Sequence, residues 1–398
     1  MSAGDASGER GARARQRELA LRAALLLFGL AAGAAFAEGA VRLLARRLFS
    51  LDSPSHRFDP ELGWVQQQGV TMRRRNEAGT AVAVEGSALG IRRSPGAYRS
   101  DARTVLVAGD SFTAGTQVPF ADTWTSRLQE GLRAQRLDVQ LVNAGVDGYD
   151  LSQSYRLARR LWGTFRPRHL VLAVFIGNDL VDYERQASAR PPWEQDTPLA
   201  WLREHSYLYR LLAAKLAPRA GAVPAEEPLP EVGRSVHGYE RLGPTQRRAI
   251  QRQFASAELL PVLQGSDEGR RCLLSSERLI GEARAFARAQ GAGFTLILIP
   301  TKQQVVPEQR AEWMELHRLT PEQALAPQRE LRRWADENGI AVVDPLELMS
   351  AAPDPQRLYW TANMHLTPAG HEALARAALP LVLSQLQAAS ASGAGERR

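Results

Sequence analysis

The chain has 398 residues, 44% of them hydrophobic and 23% charged, which excludes a disordered chain and leaves room for one large domain with an insertion or two modest domains. Its formal net charge is +7, and all but two of its 50 basic residues are arginine, the exceptions being Lys215 and Lys302. The arginines are scattered with no aromatic platform between them, which argues against nucleic acid as a partner. The single cysteine, Cys272, excludes an intramolecular disulfide and a Cys-based metal site.

Residues 1–18 are polar and arginine-rich, with Arg10, Arg13, Arg15 and Arg17. An apolar run follows from Leu19 and is interrupted only by Arg22 until Ala37. A helix that spans a bilayer needs roughly 17–25 apolar residues, and this run reaches that length if Arg22 snorkels to the head groups. Residues 19–41 are therefore expected to be a transmembrane anchor. The preceding positive charge favours a cytoplasmic N-terminus and an extracytoplasmic remainder, although Arg42, Arg46 and Arg47 weaken the contrast. Ala35-Phe36-Ala37 also fits a signal-peptidase site, so a cleaved leader competes with the anchor, as does a buried amphipathic helix.

Residues 42–103 form a lead-in rich in turn formers, with short runs such as 81–84 that suggest small strands or covering loops. The pattern changes at residue 104. Short apolar runs at 104–108 (TVLVA), 139–142, 169–176 (HLVLAVFI), 294–299 (FTLILI) and 340–343 read as buried strands. Helical spacing over 122–135, 151–165, 276–290, 321–338 and 368–387 separates or closes them. This alternation predicts an α/β fold, a flavodoxin-like doubly wound sheet of about five parallel strands. Residues 184–272, rich in proline and charge, interrupt it as an insertion with helical pieces near 206–216 and 245–260. Residues 388–398 are expected to be a disordered tail.

Doubly wound sheets place their sites at the carboxyl ends of the strands. Gly109-Asp110-Ser111 follows the first strand, where a serine at a strand-to-helix turn suits a nucleophile; such a turn is equally an ordinary helix cap. Asn143-Ala144-Gly145 follows the second, and a glycine there permits close backbone approach and offers an N–H. Gly177-Asn178-Asp179 follows the third, and its side-chain amide can donate to an oxyanion. His365 precedes the last helix, where Thr367 and Pro368 can start the helix. His371 falls inside that helix and reads as structural.

Taken in order, these motifs resemble the SGNH (GDSL) hydrolases over residues 104–386. The lead-in run 56–64 (HRFDPELGW) and Ile299-Pro300-Thr301-Lys302 with Val306-Pro307 resemble membrane-tethered bacterial members. The resemblance implies that Ser111 is the nucleophile and His365 the general base. It also implies an oxyanion hole made by the N–H of Ser111, the N–H of Gly145 and the amide of Asn178. The reaction it implies is acyl transfer from an acyl ester through an acyl-serine, with no metal or cofactor.

One departure stands out. The family's aspartate, two or three residues before the histidine, is replaced here by Asn363 and Ala362. In a serine protease the change from aspartate to asparagine costs about 10⁴ in turnover through the wrong imidazole tautomer. Three outcomes remain open: Asn363 as a working orienter, an acid supplied from elsewhere such as Asp344, or an impaired enzyme. Two functions follow, a membrane-anchored esterase or O-acyltransferase acting on an acylated extracytoplasmic glycan or lipid, and a catalytically impaired binding or assembly protein on the same fold. The acyl group, its acceptor and the oligomeric state are not legible.

Overall fold

The computed structural model describes residues 5–48, 56–59, 61–181, 206, 208–209, 243 and 259–395. It divides into two compact units. One comprises Met1–Asp52 with Pro192–Glu226, the other Ser53–Pro191 with Glu227–Arg398.

In the first unit the helix α1 (Asp5–Leu48) contains a stretch, Arg17–Leu43, long and apolar enough to cross a membrane. Its large apolar side chains, from Leu19 to Leu43, are exposed. The Glu38 carboxylate accepts from the Ser206 hydroxyl at 2.8 Å and the Leu208 N–H at 2.9 Å. The helical pieces expected near 206–216 and 245–260 otherwise lie almost wholly outside the described residues.

The second unit opens with two antiparallel hairpins, β1 (His56–Asp59) with β2 (Gly63–Gln66) and β3 (Thr71–Arg75) with β4 (Ala81–Glu85). The α/β core follows, with β5 (Arg103–Gly109), α2 (Ser111–Ala114), α3 (Trp124–Ala134), β6 (Val139–Gly145), α4 (Leu151–Phe165) and β7 (His169–Phe175). After the region around 182–258 come α5 (Leu259–Leu263), α6 (Asp267–Ala289), β8 (Gly293–Ile299), α7 (Lys302–Val305), α8 (Pro307–His317) and α9 (Pro321–Glu337). The chain ends with β9 (Val342–Val343), α10 (Leu346–Ser350) and α11 (Pro368–Gly395). The five core strands are parallel in the order β6-β5-β7-β8-β9.

Each core strand is apolar at nearly every position because both faces are covered. Leu106, Ala108, Leu170, Leu172 and Val174 face the layer of α4, α6 and α9. Val105, Val107, Val171 and Ala173 face α3 and α11. β5 has β6 on one side and β7 on the other, so the direction of winding reverses at β5, and crevices form at the carboxyl ends of such strands.

Three elements differ from the sequence reading. First, α6 begins nine residues before 276, because Ser266 caps it through the Gly269 N–H, and Cys272 on its inner face is buried in the core. Residues 259–272 thus pack as part of the α/β core and not as insertion. Second, α8, absent from the sequence reading, starts at Pro307, a residue preorganised for the first helical position. Third, α11 runs to Gly395, past the expected start of a disordered tail.

Candidate functional site

The turn that carries Ser111 is built by glycines. Gly109 and Gly145 are register partners at the ends of β5 and β6. A Cβ on Gly109 would stand 2.3 Å from Thr113 Oγ1, and one on Gly145 would stand 2.2 Å from the Ala114 backbone nitrogen. Without side chains there, the single turn α2 lies directly on the strand ends. Asp110 caps it by accepting the Phe112 N–H at 2.9 Å. Ser111 takes the first helical position, where a backbone N–H has no partner within the helix.

His365 reaches Ser111 across the sheet top, with its Nε2 2.8 Å from Ser111 Oγ. The loop that carries it is closed by the Tyr359–Leu366 bridge and by the Trp360 N–H donating to the His365 carbonyl at 3.0 Å. Its ring lies against Phe112, centroids 5.0 Å apart, and Phe112 stacks on Phe175 at 3.9 Å.

Asn363 occupies the remaining ring nitrogen. Its Oδ1 contacts His365 Nδ1 in a short hydrogen bond and also accepts the backbone N–H of His365 at 2.9 Å. The second contact fixes the chemistry of the first. A backbone N–H can only donate, so the atom facing it must be the amide oxygen. An oxygen facing Nδ1 requires the proton on Nδ1, which leaves the Nε2 lone pair directed at the serine hydroxyl. The hazard foreseen for an asparagine, a flipped amide that selects the wrong tautomer, is thereby opposed by the backbone. Asp344, the other candidate orienter, is engaged elsewhere, accepting from Gln328 Nε2 at 2.6 Å and the Leu346 N–H at 3.1 Å.

Gly145 requires a correction. Its N–H donates to Asn143 Oδ1 at 3.0 Å and is not available to an oxyanion. Asn143, buried, also donates to the Thr113 carbonyl at 2.7 Å and to Thr125 Oγ1 at 3.0 Å, so it ties α2 and α3 to β6. Farther along the same loop, Val146 donates to Gly109 and Tyr149 to Val146. The Gly148 N–H has no acceptor among the described residues. Gly148 adopts φ +77°, a backbone open chiefly to glycine, under the Trp64 ring.

Asn178 is half-buried at the end of β7, and its Oδ1 is buried with no hydrogen-bond partner among the described residues. The following Asp179 holds the turn by accepting the Phe175 N–H at 2.8 Å. Burial pushes the Asp110 carboxyl up to about 7, with the charge of Asp147 adding to the effect. Burial, and then the charge of Asp110, pushes Asp179 well above the usual carboxylate range. Acids that resist ionising put less negative charge beside Ser111, which favours an anion forming there.

His371 is buried and accepts the Trp124 N–H on Nδ1 at 3.2 Å. Burial depresses it to about 3, so it stays neutral and structural. Among the described residues no group of three or more His, Cys, Asp or Glu side chains is arranged to hold a metal ion.

The lead-in, expected as cover, holds the site loops. The Arg92 guanidinium, fully buried, donates to the carbonyls of Ala114, Gly115 and Val118 at 3.0, 2.6 and 3.0 Å. Trp64 Nε1 donates to the Asp147 carbonyl at 3.0 Å. Asp59 anchors the first hairpin through paired 2.7 Å bonds from Arg160, which hold its carboxyl down at about 2.

The model of the GDSL-like lipase/acylhydrolase family matches residues 107–373. A search of curated proteins found no sequence match. Similar solved structures include TesA, 15% identical over 70% of this chain and 98% of that chain, with a TM-score of 0.39. A lipase/acylhydrolase from Enterococcus faecalis is 12% identical over 71% and 96%, with a TM-score of 0.36. The acetyl xylan esterase AlAXEase is 14% identical over 70% and 99%, with a TM-score of 0.38.

Proposed function

The chain belongs to the GDSL-like lipase/acylhydrolase family, and we propose that it is a membrane-tethered serine ester hydrolase or O-acyltransferase acting outside the cytoplasm. The observation that carries this reading is the relay from Ser111 Oγ to His365 Nε2 and from His365 Nδ1 to Asn363 Oδ1. In it, Ser111 is the nucleophile, His365 the general base and Asn363 the orienter.

Ser111 Oγ attacks the ester carbonyl carbon while Nε2 takes its proton. The carbonyl oxygen becomes an oxyanion, held by the N–H of Ser111, the side-chain amide of Asn178 and the N–H of Gly148 in place of Gly145. As the tetrahedral intermediate collapses, the bond to the alcohol oxygen breaks and Nε2 returns the proton to that oxygen. Water or a second alcohol, deprotonated by the same nitrogen, then releases the acyl group from serine. Water gives hydrolysis and an alcohol gives transfer.

The first test is a panel of short- and long-chain acyl esters and acetylated glycans, run with the full chain in detergent, together with labelling by a fluorophosphonate. Turnover with labelling is expected. A folded protein that does neither would leave the binding-protein reading. The tether rests on Arg17–Leu43, whose length and exposure suit a bilayer. Alkaline carbonate is expected to leave the protein in the membrane pellet. Release with a new N-terminus at Glu38 would mark a cleaved leader instead.

Asn363→Asp is expected to raise turnover by at least about tenfold. The amide accepts from Nδ1 but carries no charge, whereas a carboxylate would stabilise the imidazolium as it forms. The gain should stay well below the protease figure of about 10⁴, which arises largely from a wrong tautomer that the His365 N–H here disfavours. Equal or lower turnover across pH 5–9 would mean that charge at this position does not limit the reaction.

A further inference from the structure

The loop that presents Asn363 and His365 has almost no regular structure, yet its backbone polar groups are gripped from two sides. Glu77 sits in the turn between β3 and β4. Its carboxylate accepts the Thr361 N–H at 2.8 Å and the Ala362 N–H at 3.1 Å. On the other side Lys302 Nζ donates to the carbonyls of Trp360 and Thr361, both at 2.8 Å. Lys302 is fully buried.

The turn is built to present Glu77. Asn76 Oδ1 accepts the N–H groups of Ala78 and Thr80 at 3.1 and 3.0 Å, its Nδ2 donates to the Gln117 carbonyl at 3.2 Å, and Gly79 takes φ +78°. Lys302 is fixed in turn by the reciprocal cap between Thr301 and Gln304 at the start of α7. Neither charge is at ease. Burial pushes the Glu77 carboxyl up and brings the Lys302 ammonium down to about 7, and each favours the charged form of the other. Opposite charges withdrawn from water are seldom a net source of stability. What the pair offers is a fixed geometry for two consecutive peptide groups just before Asn363.

We infer that Glu77 and Lys302 are a positioning pair that holds residues 360–363 so that the Asn363 amide meets the His365 ring. An aspartate would hold its histidine partly by charge through the ring. Here the orienter is neutral, and the restraint enters through the loop backbone from opposite charges on either side. The inference rests on the Ser111–His365–Asn363 reading and adds to it two residues that touch no reacting atom.

The test compares the wild type with Glu77→Gln, Lys302→Met and the double variant in the full chain, with rates normalised to folded protein by circular dichroism. Each single variant leaves one charge, the buried Lys302 or the half-buried Glu77, without its counterpart and can fail to fold. The double variant leaves none and is the deciding protein. Its kcat is expected to fall about tenfold with KM for the ester unchanged. The downfield proton resonance of His365 Nδ1–H, hydrogen-bonded to Asn363, should weaken or broaden. Where the single variants fold, their losses should not add, as expected of groups that act as a unit. A double variant with wild-type kcat and an unaltered resonance overturns the inference, as does a loss confined to thermal stability. A wild type that neither turns over esters nor reacts with a fluorophosphonate defeats the underlying reading, and the resonance then still reports whether the pair positions the ring.

Discussion

Ser111→Ala is expected to lower ester turnover by a factor on the order of 10⁴ or more and to abolish fluorophosphonate labelling, with the fold intact. Loss of the nucleophile alone costs about 10⁶ in a well-tuned serine protease. A neutral orienter starts from a lower rate, so less can be lost here. The oxyanion donors remain in the variant, and some rate above water should survive. The stability change should stay within about 1 kcal/mol, since the hydroxyl is half-buried and its hydrogen bond to His365 is partly replaceable by water. Removing it also relieves nothing that holds α2, which is capped by Asp110 and packed through Phe112. Undiminished turnover in a folded Ser111→Ala protein would mean that another group forms the acyl-enzyme.

The parts of this site that could be read in the sequence are those that follow strands. Ser111 and Asn178 each occupy the first turn after an apolar run, His365 lies in the loop before the last helix, and the topology brings these segments together. The role of Gly145 was not legible, because its amide is taken by Asn143, two residues away on the same strand. That contact depends on the Asn143 side chain turning back along the strand, which spacing cannot reveal. The need for a glycine there is real, but it arises from α2 lying on the strand end and not from a substrate.

The lead-in was the least legible part. Arg92 and Glu77 act on loops far along the chain, and nothing local marks them. Lys302 stood out only as one of two lysines and as part of the Ile299-Pro300-Thr301-Lys302 run, and its hold on the Trp360 and Thr361 carbonyls was no more legible. The lead-in supplies Arg92 and Glu77, whose side chains fix two loops that the sheet leaves open at its carboxyl edge.

Asn178→Ala is expected to lower kcat by roughly 10²–10³ with little change in KM, the cost typical of losing one oxyanion donor. The side chain stands at the end of β7, across the switch point from Ser111. Its Oδ1 is buried without a partner among the described residues, and the amide nitrogen is the group left to meet a substrate. A ground-state ester carbonyl is a weak acceptor and gains little from that donor, whereas the tetrahedral oxyanion gains much, so the loss should fall on turnover. Asp179 continues to hold the turn in the variant through the Phe175 N–H, which limits collapse of the loop. Asn178→Asp separates this role from a merely structural one. A carboxylate of the same shape would repel the forming oxyanion, so the Asp variant should be at least as slow as the Ala variant. If both variants raise KM and spare kcat, Asn178 binds the ground-state substrate, and the two backbone N–H groups carry the oxyanion alone.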